Sequence, residues 1–364
     1  MNAGDHGLHS VTRRSLGALL PFRPVKISRR DVFVGAATLG AGLTLGASKN
    51  LADDTHSANP RFIDVHHHYL PPFYVEAIGD KPIAAGTAGV PKWSPEASIE
   101  AMDRNGVELA VLSITNPGIA IADPKQRQNL ARECNRYAKK LATDHPGRFD
   151  AFAALPMPDV DATLDEVKYA LDDLNLAGIG LLTNYGDAYL GNPQFDPLLK
   201  ELNRRKATLF VHPTVPTYSP LDNLLSPAVI EFPHQTVRAI TSLFFTGSFS
   251  RYPDIGFIFP HAGGSIPFII SRLQSKKGPD DSDAGVLLRR LHYDSALSAN
   301  SISFPALLKF AGAGKIVFGS DFPFAPESKL VESVSFLNDL AHENHDVPLI
   351  ARGNALALMP RLNR

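Results

Sequence analysis

Cysteine and tryptophan each occur once in 364 residues, as Cys134 and Trp93. A lone cysteine excludes an internal disulfide framework. Neither sign of charge is in excess, since 36 Lys and Arg face 37 Asp and Glu. The chain therefore lacks the global positive field of a nucleic-acid binder, and no nucleic-acid partner is expected. The most apolar run, from Val32 to Ala47, falls short of the roughly 20 residues that a membrane-spanning helix needs. From residue 61 onward there is no low-complexity tract and no repeat of roughly 20 to 50 residues. What remains, 44% hydrophobic and 20% charged, is the composition of an ordinary folded protein. Cys134 lies in "NLARECNRYAKKLA", which reads as a helix, and is expected to be a buried, inert thiol.

The N-terminal part differs in kind. "SRRDVF" at 28–33 places Arg29 and Arg30 directly before the Gly- and Ala-rich run, the pattern of a twin-arginine export signal. A second pair, Arg13 and Arg14, precedes it. The expected organisation is a signal over 1–48, a polar linker over 49–60 and one catalytic domain over 61–364. The signal implies a periplasmic location, with no stable membrane span once it is removed. If the segment is not used, the protein stays in the cytoplasm.

Within the domain, short apolar runs alternate with longer amphipathic stretches, which predicts repeated βα units around a parallel sheet. Eight strands are predicted, at 61–66, 108–114, 149–155, 177–183, 207–212, 255–259, 290–295 and 315–320. Helices are predicted over 124–144, over 158–174 and over 192–205 from apolar spacings of three and four and from acidic starts and basic ends. Eight such units suggest closure into a (β/α)₈ barrel.

The carboxyl ends of barrel strands carry the chemistry of such folds. "DVHHH" ends the first strand, and alternation places His66 and His68 on one side and His67 on the other. "FVHP" ends the fifth with His212, "FPHAGG" follows the sixth with His261, and "FGSDFP" follows the eighth with Asp321. Imidazole nitrogens and a carboxylate meeting at one mouth form a ligand set suited to Zn²⁺ and related divalent ions.

Together, "IDVHHHYLPP", "FVHP", "RYPDIGFIFPHAGGSIPF", "HYDSA", "KIVFGSDFPF" and "IARGNALALM" resemble the amidohydrolase-related decarboxylases. That family includes aminocarboxymuconate semialdehyde, γ-resorcylate and 6-methylsalicylate decarboxylases. The resemblance covers roughly 61–359, and "PKWSPEASIEAMDRNGVELAVLS" is most similar to the 6-methylsalicylate branch. It implies a TIM barrel of the metal-dependent hydrolase type. It also implies that His66, His68, His212 and Asp321 hold one divalent ion, with His261 as the catalytic histidine. Some relatives have Glu at the first position, so His66 favours Zn²⁺, with Mn²⁺ as the alternative. Two-metal relatives in the wider group use a carbamylated Lys at the end of the fourth strand; here that strand ends with Thr183 and Asn184. The expected reaction is non-oxidative decarboxylation of a hydroxybenzoate-like or other unsaturated acid. Asp321 is then expected to relay the proton and His261 to orient or recharge it.

Less specific signals complete the reading. Trp93, Phe322 and Phe324 are candidates for stacking on a substrate ring, against plain packing. Asp294 of "HYDSA" either braces a ligand or the pocket, or caps the following segment. His234 either reaches the pocket mouth or lies at the surface, and His67 is expected to pack. "HAGG" before a helix could instead form an anion cradle. Val237–Gly247 is a candidate homodimer surface, with packing on the barrel as the alternative. A hydrolase of a lactone, ester or amide is the alternative activity, and a non-catalytic binding protein the third reading.

Overall fold

The computed structural model describes residues 61–79, 90–218 and 224–363. The expected signal and linker, 1–48 and 49–60, lie outside the described residues. Eight parallel strands form one sheet in sequence order: β1 Phe62–His68, β2 Val107–Ser113, β3 Phe149–Ala153, β4 Gly178–Leu182, β5 Thr208–His212, β6 Gly256–Phe259, β7 His292–Asp294 and β8 Ile316–Val317. The ring closes where the chain after β8 meets β1. Val65 N–H donates to Phe318 O at 3.0 Å, Asp321 N–H to His66 O at 2.7 Å and His68 N–H to Phe322 O at 2.8 Å. The eighth strand is shorter than the 315–320 expected, because the chain beyond Val317 turns its hydrogen bonds from β7 to β1.

Helices fall where the spacing predicted them, with local reasons for their ends. Arg127–Asp144 fills most of the 124–144 stretch. Val160–Lys168 begins at Asp159, whose side chain accepts from Ala162 N–H, and continues through a π-helical turn at Tyr169–Asp173. Asp196–Arg204 follows a 3₁₀ turn that Asn192 caps, and it ends on a basic residue, as the helix dipole favours.

The apolar residues divide into two cores. Ile63, Val65, Leu109, Val111, Phe152, Phe210, Ile258 and Val317 fill the barrel, and Ala355, Met359 and Leu362 of the C-terminal segment pack with them. The larger core lies between the strands and the helices and includes buried Cys134, whose thiol pKa burial pushes up. The helix Pro227–Phe245 buries Ala239, Ile240, Leu243 and Phe244, so the stretch weighed as a subunit surface is spent largely on packing within the chain. Among the described residues no helix is long and apolar enough to cross a membrane.

Candidate active site

β1 delivers its histidines through an irregularity that strict alternation hides. Its pairing with β2 steps from Asp64↔Ala110 to His67↔Leu112, setting Val65 and His66 against the single residue Val111. This is a β-bulge, which re-aims side chains. It lets Ile63 and Val65 face the barrel interior while His66, one residue out of step with them, also points inward and meets the Phe210 ring at 4.9 Å. His67 points the other way, with Nδ1 3.0 Å from Asp64 Oδ2 and Nε2 3.0 Å from Ser98 Oγ.

His66, His68, His212 and Asp321 each offer one donor atom, and these atoms lie within 4.8 Å of one another. Their other ring nitrogens are engaged. His66 Nδ1 faces Asp294 Oδ2 at 2.8 Å, His68 Nδ1 faces Ser113 O at 3.2 Å and His212 Nδ1 faces Pro213 O at 2.7 Å. Each acceptor fixes the proton on Nδ1 and frees Nε2 as a ligand. The Nε2 atoms of His66 and His68 are 3.1 Å apart, and Asp321 Oδ1 is 3.1 and 3.0 Å from them. Ligands around a tetrahedral ion with bonds of about 2.0–2.1 Å stand about 3.3 Å apart, so the donor set fits one such ion.

The electrostatics agree with that reading. Burial disfavours charge on His66, but Asp294 and Asp321 outweigh it and push its pKa up to about 10. Burial, then neighbouring His68 and His66, hold His212 well below the usual imidazole range, and burial lowers His68. Burial alone would raise Asp321, yet the His66 charge and the bonds from His261, His66 and His68 keep it well below the usual carboxylate range. A cluster that must share a proton among facing lone pairs is one that a cation satisfies better.

Asp321 divides its two oxygens. Oδ1 joins the ligand cluster, while Oδ2 lies 3.3 Å from His261 Nε2. His261 follows β6 at φ 53°, and its N–H donates to Asp294 Oδ1 at 2.8 Å. Asp294 thus ties one ligand and the catalytic candidate together, and it also accepts from Ala296 N–H at 3.0 Å. Both readings weighed for Asp294, brace and cap, describe contacts it makes. The glycines of "HAGG" answer to packing. A Cβ on Gly263 would stand 2.7 Å from the Tyr293 ring, and one on Gly264 would stand 2.1 Å from Pro233 O.

A cavity of about 550 Å³ opens over this cluster, lined by Thr115, His212, His261 and Asp321 together with an apolar wall that includes Val229, Phe232, Leu297 and Phe324. Clefts of about 460 and 610 Å³ open elsewhere, so it is the donor set rather than volume that distinguishes the site. Phe324 reaches the cavity, its ring 5.4 Å from that of His68. Phe322 instead packs at 5.1 Å on His67. Trp93 is a correction: it is not part of the lining but packs near Tyr69 and Tyr137 and donates from Nε1 to Ser98 Oγ at 2.9 Å. His234 is a second correction, because it is exposed on the helix and bonds from Nδ1 to Ile230 O at 2.6 Å, while its neighbour Pro233 lines the cavity. Sequence reasoning missed Asp64, whose carboxylate binds His66 N–H, the His67 ring and both Ser320 N–H and Oγ–H. An acidic residue two positions before the first ligand was the available signal.

A closed parallel barrel with three imidazoles and a carboxylate at its mouth defines a metal-centre barrel of hydrolase type. Residues 63–361 match the amidohydrolase family, and the chain belongs to it. Decarboxylase yanB of Aspergillus niger is 39% identical over 323 residues, covering 82% of this chain and 87% of that protein. 6-Methylsalicylic acid decarboxylase acuB of Aspergillus aculeatus is 36% identical over 323 residues, covering 83% and 97%. Among solved structures, 5-carboxyvanillate decarboxylase of Novosphingobium aromaticivorans, complexed with manganese and 4-hydroxy-3-methoxy-5-nitrobenzoic acid, has a TM-score of 0.74 at 18% identity and covers 84% of this chain and 97% of its own. At that identity the likeness is one of fold.

Proposed function

We propose that the protein is a metal-dependent, non-oxidative decarboxylase of a hydroxybenzoate-type acid, a carbon–carbon lyase. The observation that carries this is Asp321, shared between the ligand cluster through Oδ1 and His261 through Oδ2 at the floor of a largely apolar cavity. The relatives named decarboxylases at 39% and 36% identity support the same reading.

His66, His68, His212 and Asp321 would hold the ion, most simply Zn²⁺ with Mn²⁺ as the alternative, given three imidazoles and one carboxylate. A divalent ion there supplies a redox-neutral Lewis acid that anchors the substrate's oxygens. His261, with Nε2 beside Asp321 Oδ2, would recharge that carboxylate with the proton. Asp321 Oδ2, 3.3 Å from His261 Nε2, passes it to the ring carbon that bears the carboxylate. A C–H bond forms there and the bond to the carboxylate breaks. Its electron pair returns to the ring, so one proton and one aryl carboxylate become one arene and one CO₂. The apolar wall of Val229, Phe232, Leu297 and Phe324 would pack against the substrate ring.

The deciding experiment measures CO₂ release from a panel of salicylate-type and other unsaturated acids by zinc-loaded and manganese-loaded protein. The His261→Ala variant should keep its metal and lose about 10²- to 10⁴-fold in rate. Hydrolysis of a lactone, ester or amide panel with every acid untouched would replace the lyase with a hydrolase.

Two wider features belong to the same reading. Residues 1–48 act as a twin-arginine signal that places the mature domain in the periplasm, supported by Arg29, Arg30 and the apolar run that follows. A homodimer is supported by Phe268 and Ile302, which are 65% and 80% exposed on or beside helices that contact one another, Ile266–Gln274 and Ser303–Ala311. A monomeric mass by light scattering would remove the dimer.

A further inference from the structure

A buried carboxylate beside the ligand cluster hydrogen-bonds to no ligand side chain, yet each of its oxygens meets two donors. Asp64 Oδ1 accepts from His66 N–H and from Ser320 N–H, both at 3.0 Å. Its Oδ2 faces His67 Nδ1 at 3.0 Å and accepts from Ser320 Oγ–H at 2.5 Å. These four bonds occupy the acceptor positions that a carboxylate has.

The bond to His67 is the inner end of a chain. His67 Nε2 lies 3.0 Å from Ser98 Oγ, and Trp93 Nε1–H donates to the same oxygen at 2.9 Å. An indole N–H can only donate, so the Ser98 hydroxyl accepts from Trp93 and turns its own hydrogen to His67 Nε2. That leaves the proton of His67 on Nδ1, where Asp64 takes it up as a hydrogen bond. A serine, a histidine and an aspartate in this order form the constellation of a hydrolytic triad. Here all three are buried and none of them lines the cavity over the ligand cluster, so no substrate reaches Ser98 Oγ. The chain orients a carboxylate.

What that carboxylate joins are the two ends of the barrel. His66 belongs to β1, and Ser320 stands directly before Asp321 in the segment after β8. Asp321 sits at φ 63°, in the sparsely populated left-handed region, and such a conformation persists only where its surroundings hold it. Two bonds from Ser320 to Asp64, with Asp321 N–H on His66 O at 2.7 Å, supply that hold. The ligand atoms they govern, His66 Nε2 and Asp321 Oδ1, stand 3.1 Å apart.

We infer that Asp64 is the positioning residue of the metal centre, setting the spacing of His66 and Asp321 through their backbones, with Trp93, Ser98 and His67 fixing its orientation. This rests on the reading of His66, His68, His212 and Asp321 as ligands of one ion, and not on the reaction that the ion serves.

The test measures the Zn²⁺ Kd of the full chain by chelator competition, the visible bands of the Co²⁺-loaded protein and the unfolding midpoint without metal. Asp64→Asn keeps the shape but turns an amide NH₂ toward donors, and it should weaken Zn²⁺ binding by about 10- to 100-fold and shift the Co²⁺ bands. Ser320→Ala should move both readouts the same way, and the double variant should bind about as weakly as Asp64→Asn alone, because the two changes remove one shared interaction. Ser98→Ala, further out, should cost less than Asp64→Asn. A lowered midpoint with Kd unchanged within about twofold and unchanged bands would make Asp64 merely structural and overturn the inference. Losses that simply multiply in the double variant, or a larger loss in Ser98→Ala, would overturn it too. If Asp64→Asn does not fold, Ser320→Ala decides by the same two readouts. A wild type that takes up no ion removes the metal centre and the inference together, whereas an ion-binding wild type with unaffected variants removes the inference alone.

Discussion

Asp294 serves two elements at once, with Oδ2 on the His66 ring and Oδ1 on the His261 backbone N–H. Such outer partners typically contribute a factor of about 10 to 100 to metal affinity. Asp294→Ala should accordingly weaken metal binding by about that factor in a chelator competition; unchanged affinity would show that His66 needs no brace. The same titration carries a pH dependence. The pKa of His66 is raised to about 10, so at neutral pH the metal-free protein holds a proton that the ion must displace. Affinity should therefore fall as pH falls, by about tenfold per unit for each proton displaced. In Asp294→Ala the leading charge that raises His66 is gone, so the variant should bind more weakly yet show a shallower slope. The ligand residues were legible because four motifs each ended a predicted strand. Asp64 and Leu297 were not, since nothing in a linear pattern says that a carboxylate will bridge β1 to the chain after β8, or that a leucine will sit at φ 54°.

Among the elements, the strands read most directly. Their runs of Val, Ile, Leu and Phe are buried on both faces by the barrel interior and the helices. The bulge in β1 was hidden, because its two extra-register residues look like any other strand pair until β2 lies beside them. Trp93 and His234 were each weighed between the pocket and a plainer role, and contacts between segments decide for the plainer one, Trp93 donating to Ser98 Oγ and His234 bonding to Ile230 O on its own helix. Gly264 shows the opposite case, a sequence feature with an alternative ligand-binding reading that packing explains. At φ +65°, with a Cβ that would lie 2.1 Å from Pro233 O, Gly264→Ala should cost more than about 1–3 kcal/mol of stability. It should also displace His261, whose carbonyl accepts from Gly264 N–H at 2.9 Å in the same turn. A denaturation midpoint and activity equal to wild type would show that the helix Pro227–Phe245 yields at no cost.

On the scale of the whole molecule, the barrel gathers ligands from β1, β5 and the segment after β8, which are far apart in the chain and close only once the ring has shut. The proposed export signal, residues 1–48, is tested separately. If Arg29 and Arg30 are the address, changing both to Lys should move the protein from the periplasmic to the cytoplasmic fraction while the purified domain keeps its activity; unchanged fractionation would remove the export proposal. The sequence by itself determined the βα alternation, the family and the ligand types, because side-chain chemistry and apolar period are local properties of the chain. Tertiary structure alone decided the bulge that aims His66, the division of Asp321 between cluster and His261, and the left-handed turn that brings Leu297 to the cavity. Each of these depends on contacts between segments brought together by barrel closure, and no local pattern records them.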